Sequence, residues 1–188
     1  MTGLHARSEL PGVRYGSSEA IADERGSFRE LWRASAAELA GLAFVQGNLS
    51  TSATGVLRGL HLHRRQTDLW VVVSGRVFVA LVDARPLVDG RREPPSVQTR
   101  EFAAGDWVVI PPGVAHGFLA LEPVQLMYQV TNEYDGTDEY GFAWDDPAVA
   151  VPWPRAPGTA DGRPITSDRD RTNPPLAELV ARLRKLGG

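Results

Sequence analysis

The sequence predicts an all-β protein, a sandwich or small barrel, with short helices near its ends. Most of the middle of the chain consists of short runs rich in Val, Phe and Trp, and such runs are typical of β-strands. Gly- and Pro-containing turns separate these runs. Many short strands joined by such turns indicate a sandwich or a small barrel.

The strands are predicted between residues 69 and 134. Residues 69–85 (LWVVVSGRVFVALVDAR) have Ser74-Gly75 as their only turn signal and therefore predict a hairpin. The next two apolar segments follow the same rule, since a Gly or Pro turn marks where each strand ends. They are residues 100–121, divided at Ala104-Gly105-Asp106 and at Pro111-Pro112-Gly113, and residues 124–134.

Helices are predicted on both sides of the strands. Residues 35–42 (SAAELAGL) contain good helix formers behind Ser35 as N-cap. Residues 152–175 are rich in Pro, Gly and Asp and predict an irregular wrap. Residues 174–186 (PPLAELVARLRKL) predict a closing amphipathic helix. Its apolar face consists of Leu176, Leu179, Val180 and Leu183.

The composition is that of an ordinary globular domain. The chain has 188 residues, 43% hydrophobic and 23% charged, with a net charge of −3, which predicts one domain over residues 1–188. Its basic residues are dispersed, so neither a nucleic acid nor a membrane is expected as partner. The chain has no cysteine, which excludes disulfides and thiolate chemistry. The first ten residues lack the apolar core of a signal peptide, so we expect a cytoplasmic protein.

Three of the four histidines fall into a recognisable pattern. His61 and His63 lie two residues apart, so in a strand they face the same side. With Asp68 and His116 they resemble the paired motifs of the cupin superfamily, G-x5-H-x-H-x(3,4)-E-x6-G and G-x5-P-x-G-x2-H-x3-N. Asp68 stands where that motif has Glu, and Ala120 where it has Asn. The resemblance implies a cupin jelly roll, also called a double-stranded β-helix, with short flanking helices.

In metal-dependent cupins this resemblance would imply one divalent ion held by His61, His63, Asp68 and His116. Three imidazoles and a carboxylate suit Fe, Mn, Ni or Zn. The alternative is that the histidines are hydrogen-bonded residues inside the barrel.

A closer resemblance covers about residues 20–180. The chain is similar to the dTDP-4-dehydrorhamnose 3,5-epimerase family, whose members resemble one another as metal-independent cupin homodimers. They invert C3 and/or C5 of a dTDP-4-keto-6-deoxyhexose in the synthesis of rhamnose or of the deoxysugars of secondary metabolites. The resemblance therefore implies an isomerase that needs no cofactor. The segments that carry it are DERGSFRELW (23–32), QGNLSTSATGVLRGLH (46–61), VALVDAR (79–85), PPGVAHGFLAL (111–121), YQVTNEYDGTDEYGFAWDDP (128–147) and ITSDRDRTNPPLAEL (165–179).

The chemistry of epimerisation explains the catalytic residues that the resemblance implies. A proton next to a ketone is weakly acidic, so a base must be placed against it and the enolate stabilised. The resemblance implies His61 as that base and an orienting carboxylate in SDRD, where we favour Asp170 over Asp168. It implies Tyr134 as the proton donor on the opposite face. The alternative for Tyr134 is an interfacial aromatic residue with a hydrated hydroxyl.

The resemblance also implies the groups that hold the substrate. Arginine suits the diphosphate because its donors match the phosphate oxygens. The N-terminal region, about residues 1–35, is expected to reach into the neighbouring subunit's site. The ordinary alternatives there are a surface arginine and a core phenylalanine. The implied residues are Arg25 and Arg58 for phosphate, Phe28 and Glu30 for the base, and Gln46, Asn48 and His116 for polar contacts.

Two positions depart from the family pattern. The family has a lysine where this chain has Asp68, and often a Gln where it has His63. A charge near the forming enolate is worth roughly 1–4 kcal/mol. An aspartate in place of the lysine would therefore destabilise the enolate unless another group compensates. A metal on the four cupin positions would supply charge but would occupy His61, and the enzyme would then be a metal-dependent isomerase or dioxygenase. Otherwise Arg58, Arg64 or Arg65 supplies the charge, or activity is limited to one carbon, or the chain binds sugar nucleotides without catalysis.

Overall fold

The apolar segments of the sequence form two five-stranded sheets with antiparallel pairing throughout. The computed structural model describes residues 9–186. In the first sheet the spatial order is Arg14–Ser17 (β1), Asp106–Ile110 (β9), Asp68–Ser74 (β6), Val124–Val130 (β11) and Gln46–Ser52 (β4). In the second it is Tyr140–Gly141 (β12), Leu57–Leu62 (β5), Val114–Ala120 (β10), Arg76–Asp83 (β7) and Ser96–Ala103 (β8).

The main core lies between the two sheets. Trp70 and Val72 of β6 pack in the same cluster as Val79 and Leu81 of β7, although these strands belong to different sheets. The residues of each pair are two apart, as period-2 alternation along a strand requires. Burial of these side chains supplies the main driving force for the sandwich. The prediction of an all-β architecture is confirmed.

The predicted hairpin over residues 69–85 is wrong in its pairing. Both strands exist, but β6 pairs with β9 and β11, whereas β7 pairs with β8 and β10. The chain crosses from one sheet to the other at Gly75, which has φ +81°, and a Cβ built there would lie 2.1 Å from the Pro123 carbonyl oxygen. A turn signal marks where the chain bends, but it does not say which strand becomes the partner.

The predicted C-terminal helix is confirmed as Leu176–Leu186 (α3). Its four predicted apolar residues are buried. They pack against the outer face of the second sheet, where Leu60, Leu62, Ala80 and Val82 lie. A short helix at Arg85–Val88 (α1), which was not predicted, follows β7.

Two other predictions of local structure fail, one of a helix and one of an irregular segment. Residues 35–42 form only a single 3₁₀ turn at Ala37–Leu39, and its N-cap is Ala36, with no side-chain cap. Gly41 adopts φ +81° and ends the turn, while Leu39 is buried beside Trp107. A single turn that lacks a side-chain cap gains too little to propagate as a helix. Conversely, the wrap predicted as irregular contains a helix, Asp168–Thr172 (α2).

The N-terminal region has two parts. β1 pairs with β9 of its own chain, whereas Ile21–Asp23 (β2) and Gly26–Phe28 (β3) pair only with each other among the described residues. All six residues of this small hairpin are exposed. Residues 1–8 of the region predicted to reach a neighbouring subunit lie outside the described residues. No helix within residues 9–186 combines the length and hydropathy that spanning a bilayer requires.

We predict that Gly75→Ala destabilises the protein by about 3 kcal/mol. The substitution adds a Cβ to a left-handed residue and drives it into backbone. Gly41→Ala is the matched control, because Gly41 has the same φ of +81° but nothing within 4 Å of the added Cβ. It should lose only about 1–2 kcal/mol, the cost of the left-handed conformation alone. The free energies of unfolding of both variants and of wild type are measured in urea. Equal losses for the two variants would contradict the steric argument.

Candidate active site

A cavity of about 470 Å³ opens inside the barrel and is lined by residues from both sheets. It brings together most of the residues that the sequence predicted for a site. The predicted residues that line it are Gln46, Asn48, Arg58, His61, His63, Asp68, His116 and Tyr134. His61 and His63 face the same cavity, as their spacing predicts.

His61 and Asp170 form a hydrogen-bonded pair at one side of this cavity. The distance from His61 Nε2 to Asp170 Oδ1 is 2.7 Å. The Asp170 side chain is 5% exposed and that of His61 is 26% exposed, so the imidazole separates the carboxylate from the open space. Asp168, the other acid of SDRD, has a side chain that is 96% exposed and pairs with Arg171 instead.

Local packing explains why these two side chains meet. Ser167 caps α2, its hydroxyl accepting from the Asp170 N–H, so Asp170 lies in the first turn of that helix. The Gly59 N–H in β5 donates to the same carboxylate at 3.4 Å. At this point β5 and β10 approach so closely that a Cβ on Gly59 would lie 2.6 Å from the Gly117 Cα. The glycines allow β5 to present His61 beside the helix.

The electrostatics of the pair favour an ionised Asp170. Burial alone would raise the pKa of this carboxyl, but the His61 hydrogen bond and charge and the Gly59 N–H outweigh it, and the pKa lies below its usual value. An ionised carboxylate only accepts, so His61 Nε2 carries the hydrogen. Nδ1 is then the nitrogen with a free lone pair, which is what a general base requires.

A second group of polar residues lies elsewhere along the cavity wall. The Tyr134 N–H donates to Gln46 Oε1 at 2.9 Å, and Gln46 Nε2 donates to Asn48 Oδ1 at 3.0 Å. The side chain of Tyr134 is largely exposed. Arg58 is held by Nε donation to Ser52 Oγ at 2.9 Å. These contacts fix an arginine and several amides along the same space.

Three polar side chains form a buried cluster in the cavity wall, which we call the inner triad: His63, Asp68 and His116. Their nearest ligand-type atoms all lie within 4.8 Å of one another. Burial raises the pKa of Asp68, against the opposing charge of His63. Burial also holds the pKa of His116 well below its usual value. The four ligands implied by the cupin motifs are therefore not all brought together, since His61 is hydrogen-bonded to Asp170 and lies outside the cluster.

The predicted contacts of the N-terminal region lie outside this cavity. Arg25 pairs with Asp23, and Glu30 pairs with Arg33. Phe28 is 67% exposed, so the alternative of a core phenylalanine is wrong. Within residues 9–186, these side chains do not line the chain's own cavity.

The three arginines proposed to replace the missing lysine differ in their position relative to the cavity. Only Arg58 of the three lines the cavity. Arg65 donates to Thr137 and lies near Asp138, while Arg64 reaches the Leu186 carbonyl near the end of α3. Arg64 and Arg65 are therefore turned towards other parts of the surface.

Sequence reasoning missed several residues of the cavity. Some of them had a readable signal, because Gln46 and Asn48 on β4 predict Ser50 by alternation, and the same rule on β11 gives Leu126, Tyr128 and Val130. Register places Tyr128 opposite both Asn48 and Trp70. Gln66 and Glu139 lie in connections and Arg169 lies on a short helix, so these three had no periodic signal. The missed lining residues are Ser50, Gln66, Trp70, Phe118, Leu126, Tyr128, Val130, Glu139 and Arg169.

We predict that Asp170 contributes stability that is lost in acid. Its folded pKa is lowered, so this contribution is present above the unfolded value of about 3.9 and disappears as pH falls through the folded pKa. The difference in unfolding free energy between wild type and Asp170→Asn should therefore shrink as the pH falls below about 4. Asp168→Asn, an exposed control, should stay within about 0.5 kcal/mol of wild type. A pH-independent difference for Asp170→Asn would contradict an ionised carboxylate.

Comparison with known proteins places the chain. The family model described as dTDP-4-dehydrorhamnose 3,5-epimerase matches residues 7–178. The enzyme of that name from Methanothermobacter thermautotrophicus is 36% identical over 177 residues, covering 92% of this chain and 94% of the relative. The Escherichia coli enzyme is 33% identical over 193 residues, covering 93% and 95%.

Solved structures agree with this match and with the jelly-roll fold. The 3,5-epimerase of Legionella pneumophila, in complex with dTDP-4-keto-L-rhamnose, superposes with a TM-score of 0.79 at 27% identity, covering 94% of each chain. A 4-keto-6-deoxy sugar epimerase from the novobiocin gene cluster of Streptomyces spheroides gives 0.78 at 29% identity, covering 95% of this chain and 89% of that one. The chain belongs to the dTDP-4-dehydrorhamnose 3,5-epimerase family and has its cupin jelly-roll fold.

Proposed function

We propose that this protein is an isomerase that epimerises a dTDP-linked 4-keto-6-deoxyhexose at C3 and/or C5, in deoxysugar biosynthesis. The observation that carries the proposal is the 2.7 Å hydrogen bond between His61 and a buried Asp170 at the edge of a cavity of about 470 Å³. The family match supports the substrate class, because the Legionella pneumophila relative of the same fold is in complex with dTDP-4-keto-L-rhamnose.

His61 acts as the base in this mechanism. Nδ1 removes a proton from the carbon next to the ketone, and the C–H electron pair becomes the C=C bond of an enolate while the carbonyl π electrons move onto oxygen. Asp170 holds the imidazole in the required tautomer and stabilises the imidazolium that forms. A positioned base of this kind contributes about 10²–10⁴-fold in rate.

Tyr134 completes the inversion by returning a proton to the same carbon from the opposite face. The phenol O–H bond breaks, a new C–H bond forms, and the enolate electrons return to the carbonyl. Proton exchange with solvent then restores His61 and Tyr134, so no atom of the sugar is gained or lost and no cofactor enters the balance. The position of Tyr134 at the cavity, on a wall built from β4 and its neighbours, supports this role.

Substrate binding uses Arg58 for the diphosphate and Gln46, Asn48 and His116 for polar contacts in the cavity. Arg25, Phe28 and Glu30 serve the active site of a partner subunit in a homodimer, for the thymine and phosphate groups. The exposed β2–β3 hairpin supports this arrangement, since Ile21 and Phe28 are 70% and 67% exposed on it. Exposed apolar side chains on a projecting element are typical of an interface between subunits.

We predict that His61→Gln and Tyr134→Phe fail at different steps. With dTDP-4-keto-6-deoxyglucose in D₂O, the wild type should place deuterium at C3 or C5 of an inverted product. His61→Gln should lose both exchange and inversion by about 10²–10⁴-fold. Tyr134→Phe should keep exchange at the carbon but lose inversion, because the base still works. NMR of the sugar measures both; loss of exchange in Tyr134→Phe would contradict the assignment of base and donor.

We predict that mixed dimers of Arg25→Ala and His61→Gln chains regain activity. If the hairpin serves the partner's site, one site of each mixed dimer combines an intact His61 with an intact Arg25. Co-expression should then give roughly a quarter of wild-type activity, since half of the dimers are mixed and each restores one site. Each variant alone is the control. Activity no higher than the mean of the two variants would place Arg25 in its own chain's site, or outside any site.

A further inference from the structure

The inner triad is built in a way that the proposed proton transfers do not use. His63, Asp68 and His116 are only 6%, 3% and 3% exposed. All three also line the cavity. A buried carboxyl group and two buried imidazoles carry a free-energy cost unless their lone pairs and charge are matched by a partner.

Both histidines have Nδ1 engaged by a backbone carbonyl. His63 Nδ1 lies 2.7 Å from the Asp138 carbonyl oxygen, with Glu139 Oε1 at 3.5 Å, and His116 Nδ1 lies 3.2 Å from the Val114 carbonyl oxygen. A carbonyl can only accept, so each Nδ1 carries the hydrogen and donates it. Each Nε2 is therefore left with a lone pair. Histidines that ligate metals almost always have their other N–H fixed in this way.

Asp68 is oriented by polar neighbours, none of which is a lysine or an arginine. Gln66 Nε2 donates to one carboxylate oxygen at 2.7 Å, and Trp70 Nε1 lies 3.4 Å from the other. The only ion-pair partner of Asp68 within residues 9–186 is His116, at 3.7 Å. No lysine or arginine of the described chain neutralises this buried carboxylate. Oriented acceptors in a buried cluster that contains no basic lysine or arginine side chain suit a metal cation.

We propose that the inner triad binds one divalent transition-metal ion, of the class that includes Zn²⁺, Mn²⁺, Fe²⁺ and Ni²⁺, through His63 Nε2, His116 Nε2 and the Asp68 carboxylate. Two imidazoles and one carboxylate suit these ions. Metal–ligand bonds of about 2.1 Å need ligand atoms roughly 3.0–3.5 Å apart. The present limit of 4.8 Å therefore requires side-chain shifts of about 1 Å.

This site leaves His61 free for proton transfer. The triad would supply three ligands, and all three residues line the cavity. The polar contact of His116 with the substrate would then be made through the ion. When bound, the ion supplies positive charge for a carbonyl oxygen of the substrate, in place of the negative charge that Asp68 alone would present. This catalytic part rests on the proposed epimerase function, whereas metal binding itself does not.

The experiment measures binding before activity. The full-length protein is stripped with chelator and titrated calorimetrically with ZnCl₂ and with MnCl₂, and the metal retained after gel filtration is counted by mass spectrometry. Wild type should bind about one equivalent of at least one of the two ions. His63→Gln and Asp68→Asn should bind it at least about 100-fold more weakly. His61→Gln is the matched control, two residues from His63 but outside the triad, and should bind as wild type does.

Folding of the variants is checked by thermal unfolding with and without the ion. The bound ion should raise the Tm of wild type and of His61→Gln, but not that of His63→Gln or Asp68→Asn. No stoichiometric binding by wild type, or equal binding by all four proteins, would overturn the proposal.

Turnover of the dTDP-sugar is then compared in stripped and reloaded wild type. Full activity in the stripped protein would overturn the charge role of the ion. Residue-dependent metal binding without any turnover would leave the site standing and would remove the epimerase assignment instead.

Discussion

The hydrogen bond between His61 and Asp170 is the interaction on which the candidate active site depends. It joins residues 109 positions apart, so it exists only when the second sheet and the C-terminal wrap are assembled together. Ser167 orients α2, and Gly59 and Gly117 let β5 and β10 approach closely enough for the Gly59 N–H to reach the same carboxylate. The packing of β5 against β10 and α2 thereby sets which nitrogen of the His61 imidazole carries the proton.

The strands of this fold are readable from the sequence, but their partners are not. Alternation and turn residues located β6 to β11 because both signals are local. The pairing of β6 and β7 was wrong because Gly75 takes the chain across the sandwich, and the close approach of Pro123, which leaves no room for a Cβ there, is a contact between distant segments. The helix predicted at residues 35–42 failed because its first turn has no side-chain cap and Gly41 has φ +81°, so the single turn does not propagate.

In the candidate site too, local patterns were readable from the sequence and tertiary contacts were not. His61, Asp170 and His116 were proposed from motif spacing and resemblance, and alternation along β4 extends the cavity to Ser50. Glu139 and Arg169 were missed because loops and short helices have no period to follow, although the two side chains pair at 3.2 Å beside the cavity. Spacing alone also grouped His61 with His63, and only the tertiary contacts of each ring separate them.

Those contacts give two histidines of one short motif different chemistry. A carboxylate behind an imidazole stabilises its protonated form, which suits His61 to accepting a proton. His63 Nδ1 is instead held by the Asp138 carbonyl oxygen at 2.7 Å, with Glu139 Oε1 at 3.5 Å, and its Nε2 keeps a lone pair suited to a metal. With the glutamine and lysine that the family resemblance implies at positions 63 and 68, the second arrangement would lack two of its three ligands. Histidine and aspartate at these two positions, which are inconsistent with the family pattern when each is considered singly, are consistent as a pair.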